Sequence, residues 1–301
     1  MSQVVEGTSL WQDAWRRWRR HRVSVASAVI LTAIVLFCAL GPMLVEWIWG
    51  WTYEQQNIGL GASSPSLAHP FGTDVLGRDV MVRTMHGGRV SLLVAFVATA
   101  VSLAVGVTYG AISGYAGGRV DAIMMRFVDV LMSTPYLLLV IVLMAVIPPS
   151  SVSIFGLDGS FVLMFAALGL VSWLVLARIV RGQVLSLKQR EFVEAARAIG
   201  VRPHTILFRH IVPNTLGPVI VYSTLTIPSV MLSEAFLSFL GLGIREPQAS
   251  WGTLVNDGAN AMVVYPWLLW FPGVTMALTL FCLNFLGDGL RDALDPNARK
   301  S

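Results

Sequence analysis

Long uncharged runs separated by short polar connections organise this chain. Val23 to Val45 carries no Asp, Glu, Lys or Arg, and neither does Val90 to Gly118. Val130 to Ile147, Phe161 to Ala177 and Met262 to Leu286 follow, and Leu216 to Gly243 is interrupted only by Glu234. Apolar runs of about 17–25 residues are long enough to cross a bilayer as helices. Lipid satisfies no backbone polar group, so a run that crosses must bond within itself. The pattern predicts an all-α, polytopic membrane protein with six transmembrane helices.

Composition agrees. Of 301 residues, 55% are hydrophobic and 13% charged, against about 25% charged in soluble domains. Charge placement then orients the spans. Seventeen of the 21 Lys and Arg fall on the leading segment, the connections after the second and fourth spans, and the tail; Arg78, Arg83, Arg89 and Arg245 fall on the other side. Basic connections stay in the cytoplasm, so both termini are expected there, as an even number of spans also requires. The expected organisation is a cytoplasmic interfacial helix over 1–22, a first span over 23–47, a periplasmic segment over 48–88, and a core of five further spans over 89–301. The polar lead and long apolar core of the first span predict uncleaved insertion rather than a signal peptide. In the lead, Ser9 and Gln12 have capping-box spacing. Trp11, Trp15 and Trp18 recur at helical spacing among arginines, which suits either an interfacial helix or a basic flap. Cys38 and Cys282 sit in apolar runs and are read as packing residues.

Between the fourth and fifth spans, Phe192, Val193, Ala196 and Ile199 share one helical face, with Lys188, Arg190, Glu191, Glu194 and Arg197 on the others. Gly200 can close this helix in a left-handed cap, and Pro203 is a stop signal. A short helix over about 187–200 is expected on the inner side. Periodicity alone serves a helix resting on headgroups and a docking helix equally.

Other positions carry candidate chemistry. Asp74 and Arg78, and Asp79 and Arg83, are spaced four apart with the acid first, a favourable order on a helix. They suit an outer platform or a sealed rim. Asp129 lies three residues after Arg126, as a local ion pair would. Glu234 is an ionisable group inside a span, hence a functional candidate. It either lines a passage or packs between helices with partners. A bend is expected at Pro228. Gly241, Gly243 and Pro247 end the fifth span, Trp251 falls in the outer connection, and Asp288, Arg291, Asp292 and Asp295 close the sixth. No Gly-Lys-[Ser/Thr] phosphate cradle occurs, because the two lysines are Lys188 and Lys300. His21, His69, His86, His204 and His210 lack metal-ligand spacing. Neither a Gly-x-Gly-Asp context nor a Gly-x-Ser-x-Gly elbow supports an intramembrane peptidase. No internal repeat supports an ion-coupled carrier working alone.

Glu194-Ala195-Ala196, Gly200 and Ile211-Val212-Pro213 resemble the "EAA" signature of permease subunits in ATP-driven importers. That signature ordinarily ends in Ile-x-Leu-Pro, and the variant here is similar to that of peptide and nickel importers. His69 to Asp74, Leu76 to Asp79, Gly88 to Leu92, Ser238 to Gly243 and Gly287 to Pro296 extend the likeness over nearly the whole chain. Ser9 to Asp13, Arg209 to Asn214, Ser250 to Gly252 and Asp257 to Asn260 resemble the "C" member of the oligopeptide and dipeptide permease pair most. The resemblance implies a type I ABC importer transmembrane fold in the bacterial inner membrane. It makes Glu194, Ala195, Ala196, Arg197 and Gly200 the contact with an ATPase, joined by Asp288 and Arg291. Asp74, Arg78 and Asp79 are candidates for contact with a binding protein outside, and Glu234 and Trp251 for the passage, while residues 244–262 resemble the family's outer re-entrant segment, which dips toward that passage. The implied partners are a second permease, two ATPase subunits that bind ATP and Mg, and an extracytoplasmic peptide-binding protein; no cofactor is expected in this chain, which is not itself an enzyme. Dipeptides, glutathione, murein peptides and nickel are alternative cargoes.

Overall fold

The uncharged runs are helical, and they begin and end where a cap, a proline or a glycine permits. The computed structural model describes residues 10–146 and 159–294. In it α1 (Leu10–Arg20) leads through His21 into α2 (Arg22–Trp49), whose first turn is capped by the His21 ring accepting from the Ser24 N–H. α3 (Val80–Ala116) starts at Asp79, whose carboxylate accepts from the Val82 N–H, and stops at Gly117. α4 (Gly118–Ser133) and α5 (Tyr136–Val146) meet at 86°. α6 (Gly159–Leu187) is followed by the short α7 (Glu191–Ala198). α8 (Pro203–Thr205) then runs through a π turn (Ile206–Ile211) and a 3-10 turn (Val212–Thr215) into α9 (Leu216–Phe239). α10 (Trp251–Ala261) and α11 (Trp267–Leu294) complete the bundle. Five helices are long and apolar enough to cross a membrane, or six if the bent α4–α5 pair is one span.

Three expectations are corrected in detail. First, charged residues do not end the helices. α3 begins ten residues before Val90, inside the segment read as 48–88, and α6 runs on through Arg178 and Arg181 to Leu187. The charges are satisfied by neighbours: Arg83 binds Asp74, Arg89 donates to the Ala39 carbonyl, and Arg181 binds Asp121. Second, the run from Val130 is not one straight helix. Thr134, forced extended by the following Pro135, turns the chain between α4 and α5. Third, helix resumes well before Leu216: Pro203, read as a stop after Gly200, also opens α8, and helical structure is continuous from Pro203 to Phe239. Pro213 has no N–H to give the regular ladder, and the π and 3-10 turns around it absorb that loss. Ser9, Asp295 and Ile147 lie outside the described residues.

α3 is the axis, packed by α2, α6, α9, α10 and α11. Its closest seam is with α6. Gly106, Gly110 and Gly114 face α6 so tightly that an added Cβ would stand 2.9, 2.3 and 2.9 Å from the carbonyl oxygens of Trp173, Ala177 and Arg181. Without a hydrophobic drive between helices in lipid, such small residues allow the close backbone packing that holds them together. Thirty-seven residues make α3 about 55 Å long, so its two ends define two separate working ends of the protein.

Candidate functional site

At one end, α7 lies against the foot of the bundle. Val193 and Ala196 are buried with Ile206, Leu207 and Ile211 of the π turn and with Val180 and Val184 of α6. Its base is tied down where Lys188 donates to the Tyr115 carbonyl at the end of α3, 2.5 Å away. Gly200, at φ +79, and the Val201 N–H bonded to the Ala196 carbonyl close the helix as expected. The apolar face is narrower than its periodicity suggested. Phe192 and Ile199 are exposed, Ile199 by 80%, because an eight-residue helix rests on one line of contact and leaves its flank free. Glu194, Ala195, Arg197 and Gly200 are exposed beside them, while Ala196 is a seat on the bundle. Below, Arg181 grips Asp121 with two bonds of 2.6 Å, and Ser113 donates to the same carboxylate. Asp129 pairs with Arg178 of α6 and not with Arg126. Asp288 and Arg291 are exposed on α11, and neither joins an ion pair among the described residues. The lead helix α1 packs on α11 and α2, with Trp15 and Trp18 stacked at 5.1 Å and Arg19 over Trp15.

At the opposite end, residues 69–83 form a charged knot instead of a row of helical pairs. Asp74 is its hub. One carboxylate oxygen accepts from the N–H groups of Leu76 and Arg78, the other from Arg78 Nε at 2.7 Å and Arg83 at 2.6 Å. Arg78 also binds Glu246 at 2.9 Å, tying the knot to the segment before α10. Burial works against the Arg78 charge, but Asp74 and Glu246 outweigh it and hold its pKa above the ordinary value. Asp79 does not meet Arg83. It caps α3 and binds the His69 ring at 2.8 Å. The expected Asp74–Arg78 pair thus exists, but in a turn, and the four-residue partner of Asp79 is wrong because the helix starts only after it. Asp74, Arg78 and Asp79 are all buried, whereas Glu246 and Asp257 beside them are exposed.

Between the ends sits Glu234, only 1% exposed. Three hydroxyls donate to it: Ser91 from α3 at 3.1 Å, Ser238 one turn along α9 at 2.9 Å, and Ser250 at 2.6 Å. Ser250 caps α10 by accepting from the Thr253 N–H, and Ser91 accepts from the Trp251 N–H. Two serines therefore relay the free N–H groups of the first turn of α10 to the carboxylate. Trp251 is fully buried, its Nε1 donating to the Thr84 carbonyl of α3. A Cβ on Gly88 would come within 2.4 Å of the Trp251 ring. Within segment 244–262, α10 is thus a capped helix docked on α3, α9 and α11, with Glu234 as the bolt. A separate groove of about 600 Å³ runs between α3 and α9, lined by apolar residues and by Thr99, Thr108, Ser223 and Thr224.

A multi-span bundle with a short helix seated at one end and a charged knot closing the other defines the membrane subunit of a transport system. The chain belongs to the family of binding-protein-dependent transport system inner membrane components, which matches residues 106–300; residues 9–66 match the N-terminal transmembrane domain of oligopeptide transport permease C. Over 98% of its length it is 52% identical to the oligopeptide transport system permease protein OppC of Escherichia coli, covering 94% of that protein. It is 50% identical to OppC of Haemophilus influenzae, with 98% and 91% covered, and 44% identical to OppC of Bacillus subtilis, with 97% and 91% covered. Among solved structures, the MetNI methionine ABC transporter in an inward-facing conformation has the same fold, with a TM-score of 0.56 at 18% identity, covering 71% of this chain and 97% of that one. The protein is a multi-pass component of the bacterial inner membrane and works with other components of an ABC importer.

Proposed function

We propose that this chain is the permease subunit, one of a pair, of an ATP-driven importer that carries oligopeptides across the inner membrane. The observation that carries this reading is α7: seated by Val193 and Ala196, tied at Lys188, and presenting Phe192, Glu194, Ala195, Arg197, Ile199 and Gly200 outward. A helix anchored on one side and free on the other suits docking of a separate ATPase. Asp288 and Arg291 extend the same contact. ATP and Mg are bound by those ATPase subunits, and this chain makes and breaks no covalent bond. Both termini are cytoplasmic, as α7 is. The second permease covers the α3–α9 groove, whose walls carry no charge to hold a cargo side chain, and the passage runs between the two chains. Glu234 and Trp251 serve that passage by fixing α10 to α3 and α9. The binding protein docks at the knot end.

The test is reconstitution of this chain with its companion permease, two ATPases and binding protein in liposomes. ATP-dependent uptake of labelled oligopeptides is expected, and none from this chain alone; uptake by the isolated chain would overturn the reading. Competition with dipeptides, glutathione and nickel ranks the cargoes.

A further inference from the structure

The charged knot borders a cavity of about 360 Å³ between segment 74–83 and α10. Its apolar walls include Val75, Leu76, Leu254 and Leu268, and Glu246 and Asp257 stand exposed among the lining residues. One exposed acid here has no arginine bonded to it. Asp257 makes no hydrogen bond or ion pair among the described residues, although every other carboxylate in this cavity has an arginine partner. Arg83, with 3% of its surface exposed, has a buried Nε–H without an acceptor. That nitrogen has no surface open to the cavity, so it belongs to the packing behind the wall and not to the groups an occupant can reach.

The charges do not balance either. Arg78 and Arg83 face Asp74, Glu246 and Asp257, an excess of one carboxylate. A simple anion would leave Asp257 unpaired. A small inorganic cation would leave the apolar walls unused. A lysine or arginine side chain fits both the charge and the walls: a cationic head for Asp257 and a methylene stem that tolerates the apolar lining. Resting on the function proposed above, we infer that this cavity receives a basic side chain from an exposed loop of the binding protein, with Asp257 taking the cation. Asp74, Arg78 and Asp79 then act one step behind the contact, holding Arg83 and Glu246 in place.

The experiment uses the complete permease–ATPase complex in nanodiscs and its binding protein. Asp257→Lys is expected to weaken docking by about tenfold or more, since a charge pair shielded from water is replaced by like-charge repulsion. Glu54→Lys, the same charge change on an exposed residue of the 50–66 segment, is expected to leave docking unchanged. Single Lys or Arg to Glu changes across the binding protein are then screened against Asp257→Lys, and at least one is expected to restore docking. Equal weakening by both permease variants would make the effect a general field and overturn the inference, as would a screen without rescue. Altered uptake of lysine-containing peptides with docking intact would assign the cavity to cargo and overturn it too. If the wild-type complex neither docks the binding protein nor imports, the function itself has failed; if the wild type does both and Asp257→Lys docks normally, only this inference has.

Discussion

At the scale of single residues, the protein keeps a carboxylate in an apolar bundle by surrounding it with hydroxyls. Removing Glu234 strands three donors, and each buried group left unpaired costs about 1–3 kcal/mol. Glu234→Ala is therefore expected to lower the melting temperature of the purified complex far more than Ser250→Ala, which removes one donor and an N-cap valued at about 1 kcal/mol. Glu234→Gln keeps shape and acceptor oxygen and should fall between them. Gly88→Val tests the neighbouring contact: its side chain meets the Trp251 ring, and overpacking of this kind costs about 1–3 kcal/mol or more. Quenching or a shift of Trp251 fluorescence, in a variant stripped of its other tryptophans, would report the displacement. The sequence made Glu234 conspicuous as a lone acid in a span, but two of its three serines lie 143 and 16 residues away on either side. The spacing of Asp74 and Arg78 was equally visible, yet Glu246, 168 residues from Arg78, was not, because nothing local marks a partner brought in by the fold.

At the scale of elements, α7 has one face on the bundle and one exposed, and the proposed docking role of the exposed face should separate experimentally from the structural role of the other. Val193→Asp places a charge in the buried cluster and is expected to abolish stable expression. Ile199→Asp alters only an exposed flank, so the complex should fold but lose co-purifying ATPase and uptake together. Retained ATPase in that variant would argue against α7 as the docking element. The helix itself was readable from its 3.6-residue period, Gly200 and its position between basic residues. Its exposed and seated faces were not, since Phe192 and Ile199 are as apolar as Val193. Helix ends were the least legible feature: Arg83, Arg178 and Arg181 look like the edges of spans until their acidic partners on other strands of the chain are known. Gly106, Gly110 and Gly114 were a signal in plain view, three glycines at four-residue spacing, whose meaning depends on α6 lying opposite.

At the scale of the whole molecule, the 17-to-4 division of basic residues is a statement about topology, and labelling can check it. Cys38 and Cys282 are buried, so a background of low reactivity is available. Leu67→Cys, on a fully exposed residue of the 50–79 segment, is expected to react with a membrane-impermeant maleimide in intact cells. Glu194→Cys is expected to react only after the membrane is opened. The reverse pattern would invert the protein and remove α7 from the ATPase side. Span number and the all-helical class were plain from hydropathy. The 86° break at Thr134–Pro135 was signalled by a proline but hidden in an unbroken apolar run.

The glycine seam between α3 and α6 has a mechanical corollary. Where main chain touches main chain, no layer of side chains is left to deform, so a tilt imposed on α6 near Lys188 is handed to α3 without slack. α3 in turn carries the Arg83 end of the knot about 55 Å away. A push on one side of the membrane thus reaches the other through a single stiff strut, and inserting a bulky residue at Gly110 should blunt that transmission before it unfolds anything.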